Sequence, residues 1–431
     1  MRPGMESGTF VAVQYVSEIR LFAYSGLFLA GLAAVLTNRD MGRLIAAPWP
    51  MLAALAWCWF SLTWSADPDL SAKKLVLTTI VIWLAFYCIS KIGYRMSVSI
   101  LRFMLVGCLF VNLLVVFMYP AIGVHSFEKI GAAHQWRGLM GHKNVAGQIS
   151  GLVIVLLLFD TKRVSLIVRF LSIAASVVFL ILSQSRTSII ATVVASILGF
   201  CLIVFHGRIR ALIIAHSKIV ERVYIAVCFV FLTVAVWISA HIDVVLKFAQ
   251  DPDALSGRTE IWQPMLQFYA DHPVAGAGFG AFWLSSGQKS GDIHRTWLQD
   301  VAQGHNGYLD IAVQVGFVGL IMILFACAVM PVTMIYRMIR TGHVSRQMIA
   351  LLSALLVMVL GENLSESSLF DRDTLGQVIL VITIGMLVTV TNGTRTGWVR
   401  RGSAEVNSKA DVVRRRRTGQ TRVSTSQRIA K

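Results

Sequence analysis

The chain has 431 residues, 56% of them hydrophobic and 14% charged, with a formal net charge of +17. Soluble globular chains carry about a quarter charged residues, so this composition excludes a set of water-soluble domains. Eleven Lys/Arg against only Glu405 and Asp411 lie between Arg395 and Lys431. That tail follows an apolar run directly, and retention against anionic headgroups explains it better than a nucleic-acid arm.

In chain order, residues 1–17 lack the basic region, apolar stretch and small-residue site of a cleavable signal, so none is expected. Apolar runs follow at 20–37, 44–64, 75–90, 98–119, 143–159, 164–182, 187–205, 222–242, 305–335, 347–362 and 374–391. Several of them match the roughly 20 residues that cross a bilayer core. The run at 305–335 exceeds one perpendicular helix and is expected to begin in an aqueous mouth. The fold class read from this pattern is all-α, a polytopic membrane helix bundle of about eleven or twelve transmembrane helices with a large external segment. Its expected divisions are N-terminal helices over 1–242, an external segment over 243–304, C-terminal helices over 305–394 and a basic tail over 395–431.

Lys and Arg in short loops set the orientation. Loops 38–43, 91–97, 160–163, 206–221 and 336–346 carry Arg39, Arg43, Lys91, Arg95, Lys162, Arg163, Arg208, Arg210, Lys218, Arg337, Arg340 and Arg346. They alternate to one side with the tail, and that side is expected to be cytoplasmic. Segments 65–74, 120–142, 183–186, 243–304 and 363–373 then share the opposite face.

Chemistry-bearing residues gather on that opposite face. Arg186, in Ser185-Arg186-Thr187, is wedged between two apolar runs, where a guanidinium needs an anion, a carboxylate or helix-end carbonyls. Arg258, in Ser256-Gly257-Arg258-Thr259-Glu260-Ile261-Trp262, can present a bidentate fork to phosphate or remain a solvated surface Arg. Ser256 can cap a short helix there, and Trp262 suits a membrane interface. His305 opens a membrane helix, where the dipole disfavours its protonated form and leaves a neutral ring able to accept a proton; the alternative is an interfacial anchor. Gly316 and Gly319 would let another helix approach closely. Arg137, His142, Lys143 and Asn144 before one span, and Glu362 and Glu366 after another, suit a sugar or anionic ligand, or simply cap helices.

No cofactor or metal is expected. All six cysteines lie in apolar runs without metal-like spacing. The pairs Asp67/Asp69 and Asp251/Asp253 enclose proline and read as turns; Asp371/Asp373 is the remaining Asp-x-Asp spacing. No HExxH, P-loop or Gly-x-Ser-x-Gly is present.

Four motifs in order carry a resemblance. Ser185-Arg186-Thr187 is followed by Gly257-Arg258-Thr259-Glu260-Ile261-Trp262, then by Asp271-His272-Pro273 with Gly276-Ala277-Gly278. Last comes His305-Asn306, nine residues, and Gly316-x-x-Gly319. Together they resemble the O-antigen ligase and Wzy-type polysaccharide polymerase superfamily of bacterial inner membranes. Gly141-His142-Lys143-Asn144 and the 362–368 segment look like its ExoQ-type exopolysaccharide polymerases. The resemblance implies a metal-independent glycosyltransferase with a periplasmic site and an undecaprenyl-diphosphate-linked oligosaccharide as donor. It implies that Arg186 and Arg258 bind the diphosphate and that His305 activates the acceptor hydroxyl. Membrane lipids and a chain-length regulator are the further partners, and nucleic acid is not one.

The function expected is polymerisation of lipid-linked repeat units into exopolysaccharide. A ligase differs only in its acceptor, such as lipid A core. A lipid-glycan transporter would need ionisable residues in mid-span and symmetry-related halves, neither of which the sequence offers.

Overall fold

The computed structural model describes residues 7–124, 134–160, 164–240, 259–283, 303–372 and 374–395. Among these, the regular elements are helices, joined by turns and one isolated bridge between Val124 and Trp136. Each apolar run of the sequence overlaps a helix among the described residues. They are α1 (Ser7–Thr37), α2 (Trp49–Phe60), α3 (Pro68–Met118), α4 (Pro120–Gly123), α5 (Lys143–Phe159), α6 (Leu166–Leu182) and α7 (Arg186–Val204). Then come α8 (His206–Ala215), α9 (Ser217–Ala240), α10 (Thr259–Asp271), α11 (Gly307–Leu324), α12 (Met330–Thr341), α13 (Arg346–Glu362) and α14 (Leu375–Arg395).

Five stretches are long and apolar enough to cross a membrane: Ile19–Thr37, Pro68–Met118, Arg186–Val204, Gly307–Thr341 and Leu375–Gly393. The chain is an all-α polytopic membrane bundle. Its core is built on α5 and α13, buried along most of their length and flanked by α7, α14 and α3. Its outside is apolar: Phe103, Phe110 and Phe117 of α3, Leu166 and Phe170 of α6, and Ile190 and Ile197 of α7 are exposed. In water such a surface would be an aggregation site; against lipid it is solvated.

The loops separate onto two ends. At the basic end Lys91 pairs with Asp40, Arg43 donates to the Ser90 carbonyl (3.0 Å), and Arg102 pairs with Asp160. Gly342, after α12, lies against the Arg210 guanidinium of α8. Among the basic loops, 38–43 thus meets 91–97 and 206–221 meets 336–346. Residues 65–74, 134–144, 183–187, 271–283, 303–307 and 363–372 meet at the other end.

Two glycines break long helices. The runs 75–90 and 98–119 are the halves of α3, divided at Gly93 (φ 74°, ψ 170°). The run at 305–335 becomes α11 and α12, joined through a π-helical turn over Phe325–Val329, and α11 is itself broken at Gly316 (φ 68°, ψ −174°). A break in a membrane helix frees carbonyls that lipid cannot satisfy. Here Val313 O accepts from Ala277 N (2.9 Å), Gln314 O from Gly278 N (2.8 Å), and Val315 O from the Trp57 indole (3.0 Å). Phe317 N, released by the same break, donates to Pro273 O (2.7 Å).

This corrects the close-approach reading of Gly316 and Gly319. Gly316 admits the backbone of the 271–280 turn, not another helix, and a Cβ there would lie 2.0 Å from Val274 O. Only Gly319 faces a helix, through Trp57 of α2. Gly316→Ala therefore meets both a left-handed φ and a backbone clash, and should destabilise the protein by about 2 kcal/mol or more. Gly107→Ala, in α3 with nothing within 4 Å of the added Cβ, should leave stability unchanged or raise it by less than about 1 kcal/mol. Thermal denaturation of the detergent-solubilised protein compares the two, and an equal effect of both would contradict the role given to Gly316.

Candidate functional site

Three helices begin at one place. His142 caps α5, its Nδ1 accepting from Asn144 N (3.3 Å). Ser185 precedes Arg186, the first residue of α7, and Ser185 Oγ bonds Ser188 Oγ (3.0 Å). Asn306 caps α11, its Oδ1 accepting from Tyr308 N and Leu309 N (3.1 Å each). Each start leaves N–H groups pointing outward and a partial positive charge.

The segment after α13 ties these starts together. Asn144 donates its amide to Glu366, Ser365 Oγ donates to Thr187 Oγ1, and Ser367 Oγ accepts from Asn306 N (3.1 Å). Gly307 N donates to the carbonyls of Asn363 (2.9 Å) and Glu366 (3.0 Å). Between α7 and α5, Ser188 Oγ reaches Asn144 O (3.4 Å). The starts of α5, α7 and α11 are thus held by four loop residues rather than by apolar packing alone.

His305 sits one residue before the cap of α11, with left-handed backbone (φ 50°). The sequence reading puts its ring at the helix dipole; the structure adds a charge that reading omits. His305 Nδ1 is 3.8 Å from Glu366 Oε2, and the rings of His305 and His142 are 6.4 Å apart. Burial raises the Glu366 carboxyl, but the His305 ring, the Asn144 amide and the His142 ring outweigh it and hold the group below its ordinary 4.5. The Glu366 carboxylate thus lies on the Nδ1 side of the ring, which makes Nε2 the nitrogen that could face a reacting group.

The structure brings together His142, Lys143, Asn144, Arg186, His305 and Glu366. Arg186 is exposed at the head of α7, and Lys143 lies in the field of both Arg186 and Glu366. Glu362 is buried at the end of α13 beside Ser188 and Gln148, and its Oε1 lacks a partner among the described residues. Arg137 has a structural bond, its Nε donating to Ile122 O (2.9 Å). Arg258 lies outside the described residues, as do most of segment 243–304 and the basic tail after Arg395. Trp262, expected at an interface, donates its indole N–H to Gly304 O (2.7 Å), which fixes α10 beside the residue preceding His305.

Sequence reasoning passed over Asp310. It is 4% exposed and accepts from the Trp283 indole (2.6 Å) and from Gly304 N (3.2 and 3.0 Å to its two oxygens). An acid inside an apolar run was the available signal. Among the described residues no group of three or more His, Cys, Asp or Glu is arranged to hold a metal ion.

Residues 170–324 match the model of the family described as Wzy_C, O-Antigen ligase. The chain is also 23% identical over 321 residues to the exopolysaccharide production protein ExoQ of Rhizobium meliloti (strain 1021), covering 71% of this chain and 69% of that protein. Both support the resemblance to O-antigen ligases and to the ExoQ type, and a function of the membrane O-antigen ligase and polymerase kind. The family match takes in Arg186, Arg258 and His305; Lys143, Asn144 and Glu366 lie beyond it and reach the site through the fold.

Because the folded-state value of Glu366 is depressed, its contribution to stability is complete above 4.5 and is lost as pH falls through the lower folded value. Glu366→Gln should therefore unfold more easily than wild type at pH 7, by about 1–3 kcal/mol. The gap should close only below pH 4.5. Thermal midpoints across pH 3–7 check this, and a gap that does not close on acidification would mean that the carboxylate charge contributes nothing.

Proposed function

We propose that the protein is a glycosyltransferase that polymerises polyprenyl-diphosphate-linked oligosaccharide repeat units into exopolysaccharide on the periplasmic face of an inner membrane. The observation that carries this reading is the convergence of three helix N-termini with Arg186, Lys143 and His305 at the end opposite the basic loops. Outward N–H groups and cations make a place for an anion, and a diphosphate on a lipid is an anion delivered at a bilayer surface. The basic end, with the tail, is the cytoplasmic one under the positive-inside rule, which sets the site on the other side.

In the reaction, an acceptor hydroxyl oxygen bonds to the anomeric carbon of the donor sugar. The bond from that carbon to the diphosphate oxygen breaks, and its electron pair leaves with the polyprenyl diphosphate. His305 Nε2 takes the hydroxyl proton while Glu366 faces Nδ1. Arg186 and Arg258 hold the leaving diphosphate, with Lys143 adding charge, so the developing negative charge meets fixed cations. Arg258 is included on its motif, since it immediately precedes α10 in the chain. A chain-length regulator of the export machinery is a further proposed partner. Ligation to another acceptor is the second reading, favoured by the O-Antigen ligase description of the matched family.

Purified protein in EDTA, given a lipid-diphosphate-linked repeat unit, should build a polymer ladder. Arg186→Ala and Arg258→Ala should each lower the rate at least about 10²-fold, and His305→Ala by about 10²–10⁴-fold. Full activity in all three variants, or a strict requirement for a divalent ion, would overturn the mechanism. Transfer seen only after a different acceptor is added would identify a ligase.

A further inference from the structure

Beside the His305 cluster lies a separate cavity of about 290 Å³, bounded by the start of α3, the 279–283 turn, α11, residues 367–372 and Thr374. Gly307 and Ser367 form part of its wall. The same two residues bond to the Glu366 carbonyl and to Asn306 N respectively, so the cavity wall is hydrogen-bonded to Glu366 and to the residue after His305.

Its lining is mixed in a particular way. Phe279 and Trp283 supply aromatic surface, and Lys74, Arg372, Asp310 and Gln314 supply donors and acceptors. Two of these polar groups have capacity to spare. Gln314 Oε1 accepts from Gly280 N (2.6 Å), and no partner among the described residues takes its NH2 group. The Lys74 ammonium donates to Gly280 O and has no carboxylate within 4.0 Å among the described residues. Asp310 is fixed by Trp283 and Gly304, and Arg372 Nε by Asp371 (3.0 Å).

Basic and acidic groups both line it, Lys74 and Arg372 with Asp310 and Asp371, so the lining is not of a single sign. Four ionisable groups make it a poor place for a lipid tail, and a lysine and a guanidinium make it a poor place for a metal ion. A pyranose ring satisfies it: hydroxyls that donate and accept around the edge, and an apolar face for an aromatic wall. We propose that this cavity is a subsite for a sugar ring of the acceptor glycan. The donor diphosphate takes the cationic helix ends on the His142 side of His305, and the acceptor chain enters from the Gly307–Ser367 side. This rests on the glycosyltransferase reading above.

The test uses the full-length protein and, as probe, the repeat-unit oligosaccharide released from its lipid diphosphate by mild acid. Binding is followed by intrinsic tryptophan fluorescence and, separately, transfer kinetics are measured with the lipid-linked unit. Gln314→Leu and Arg372→Ala should weaken oligosaccharide binding by about 10-fold and raise KM for the acceptor by a similar factor, with a much smaller change in kcat. Arg372 lies in a turn, which leaves a usable variant should Gln314→Leu not fold. Unchanged binding in a variant with wild-type thermal midpoint would overturn the subsite. So would a fall in kcat at unchanged KM, because the wall would then merely support His305. A wild-type protein that transfers nothing yet binds the oligosaccharide in a Gln314-dependent way would sink the polymerase reading and keep the subsite.

Discussion

The break at Gly316 governs the arrangement of everything near His305. A membrane helix that stops hydrogen-bonding to itself must find other partners for its carbonyls, because no water reaches them in hydrocarbon. The 271–280 turn and the Trp57 indole provide those partners. The turn is therefore pinned to α11 by backbone bonds that a side-chain substitution cannot easily replace. Its continuation, Phe279 to Trp283, is carried to the flank of the half-helix that starts at Gly307. One short helix consequently has His305 at its head, Asp310 and Gln314 along the cavity, and its broken end fixed inside the protein.

Electrostatics at the other helix starts follow from the same economy of partners. The starts of α5, α7 and α11 carry outward N–H groups; the 363–368 segment takes those of Asn306 and Gly307 through Ser367 Oγ and the Asn363 and Glu366 carbonyls, and holds the other two starts through the side chains of Asn144 and Thr187. Glu366 is the acid at the centre of this gathering, and the His305 ring, the Asn144 amide and the His142 ring hold its carboxyl below the ordinary value despite its burial. One carboxylate does not neutralise Arg186, Lys143 and three helix ends. The surplus is what an anionic leaving group would meet.

Much of this was legible in the sequence, and what was missed shares a cause. Helix positions, the two loop faces and the polar clusters at Gly141–Asn144 and Glu362–Ser368 are local patterns of hydropathy and capping. Pairings across the chain are not local: Asn144 and Glu366 are 222 residues apart, and nothing in either motif names the other. Gly316 read as a packing position because a glycine in an apolar run looks the same whether it admits a helix or breaks one. Only the location of Val274 distinguishes the two. Asp310 was visible as an acid inside an apolar run and Lys74 as a charge at the edge of one, but their shared cavity depends on the turn that the broken helix holds.

Backbone strain points to the same end of the molecule. Six non-glycine residues among those described have left-handed φ, and only Arg39 of these lies at the basic end. His134, Gln184, His305, Phe370 and Arg372 all lie at the opposite end, two of them in the wall of the cavity. Such conformations cost about 1–3 kcal/mol each and persist where surrounding bonds over-determine them. At His305 those bonds are visible on both sides: Asp310 and the Trp262 indole hold Gly304, while Ser367 and the Asn306 cap hold the residue that follows. A surface anchor has no use for a backbone held this tightly, whereas the proposed role of His305, to meet one acceptor hydroxyl between the proposed anion site and the proposed sugar subsite, calls for it.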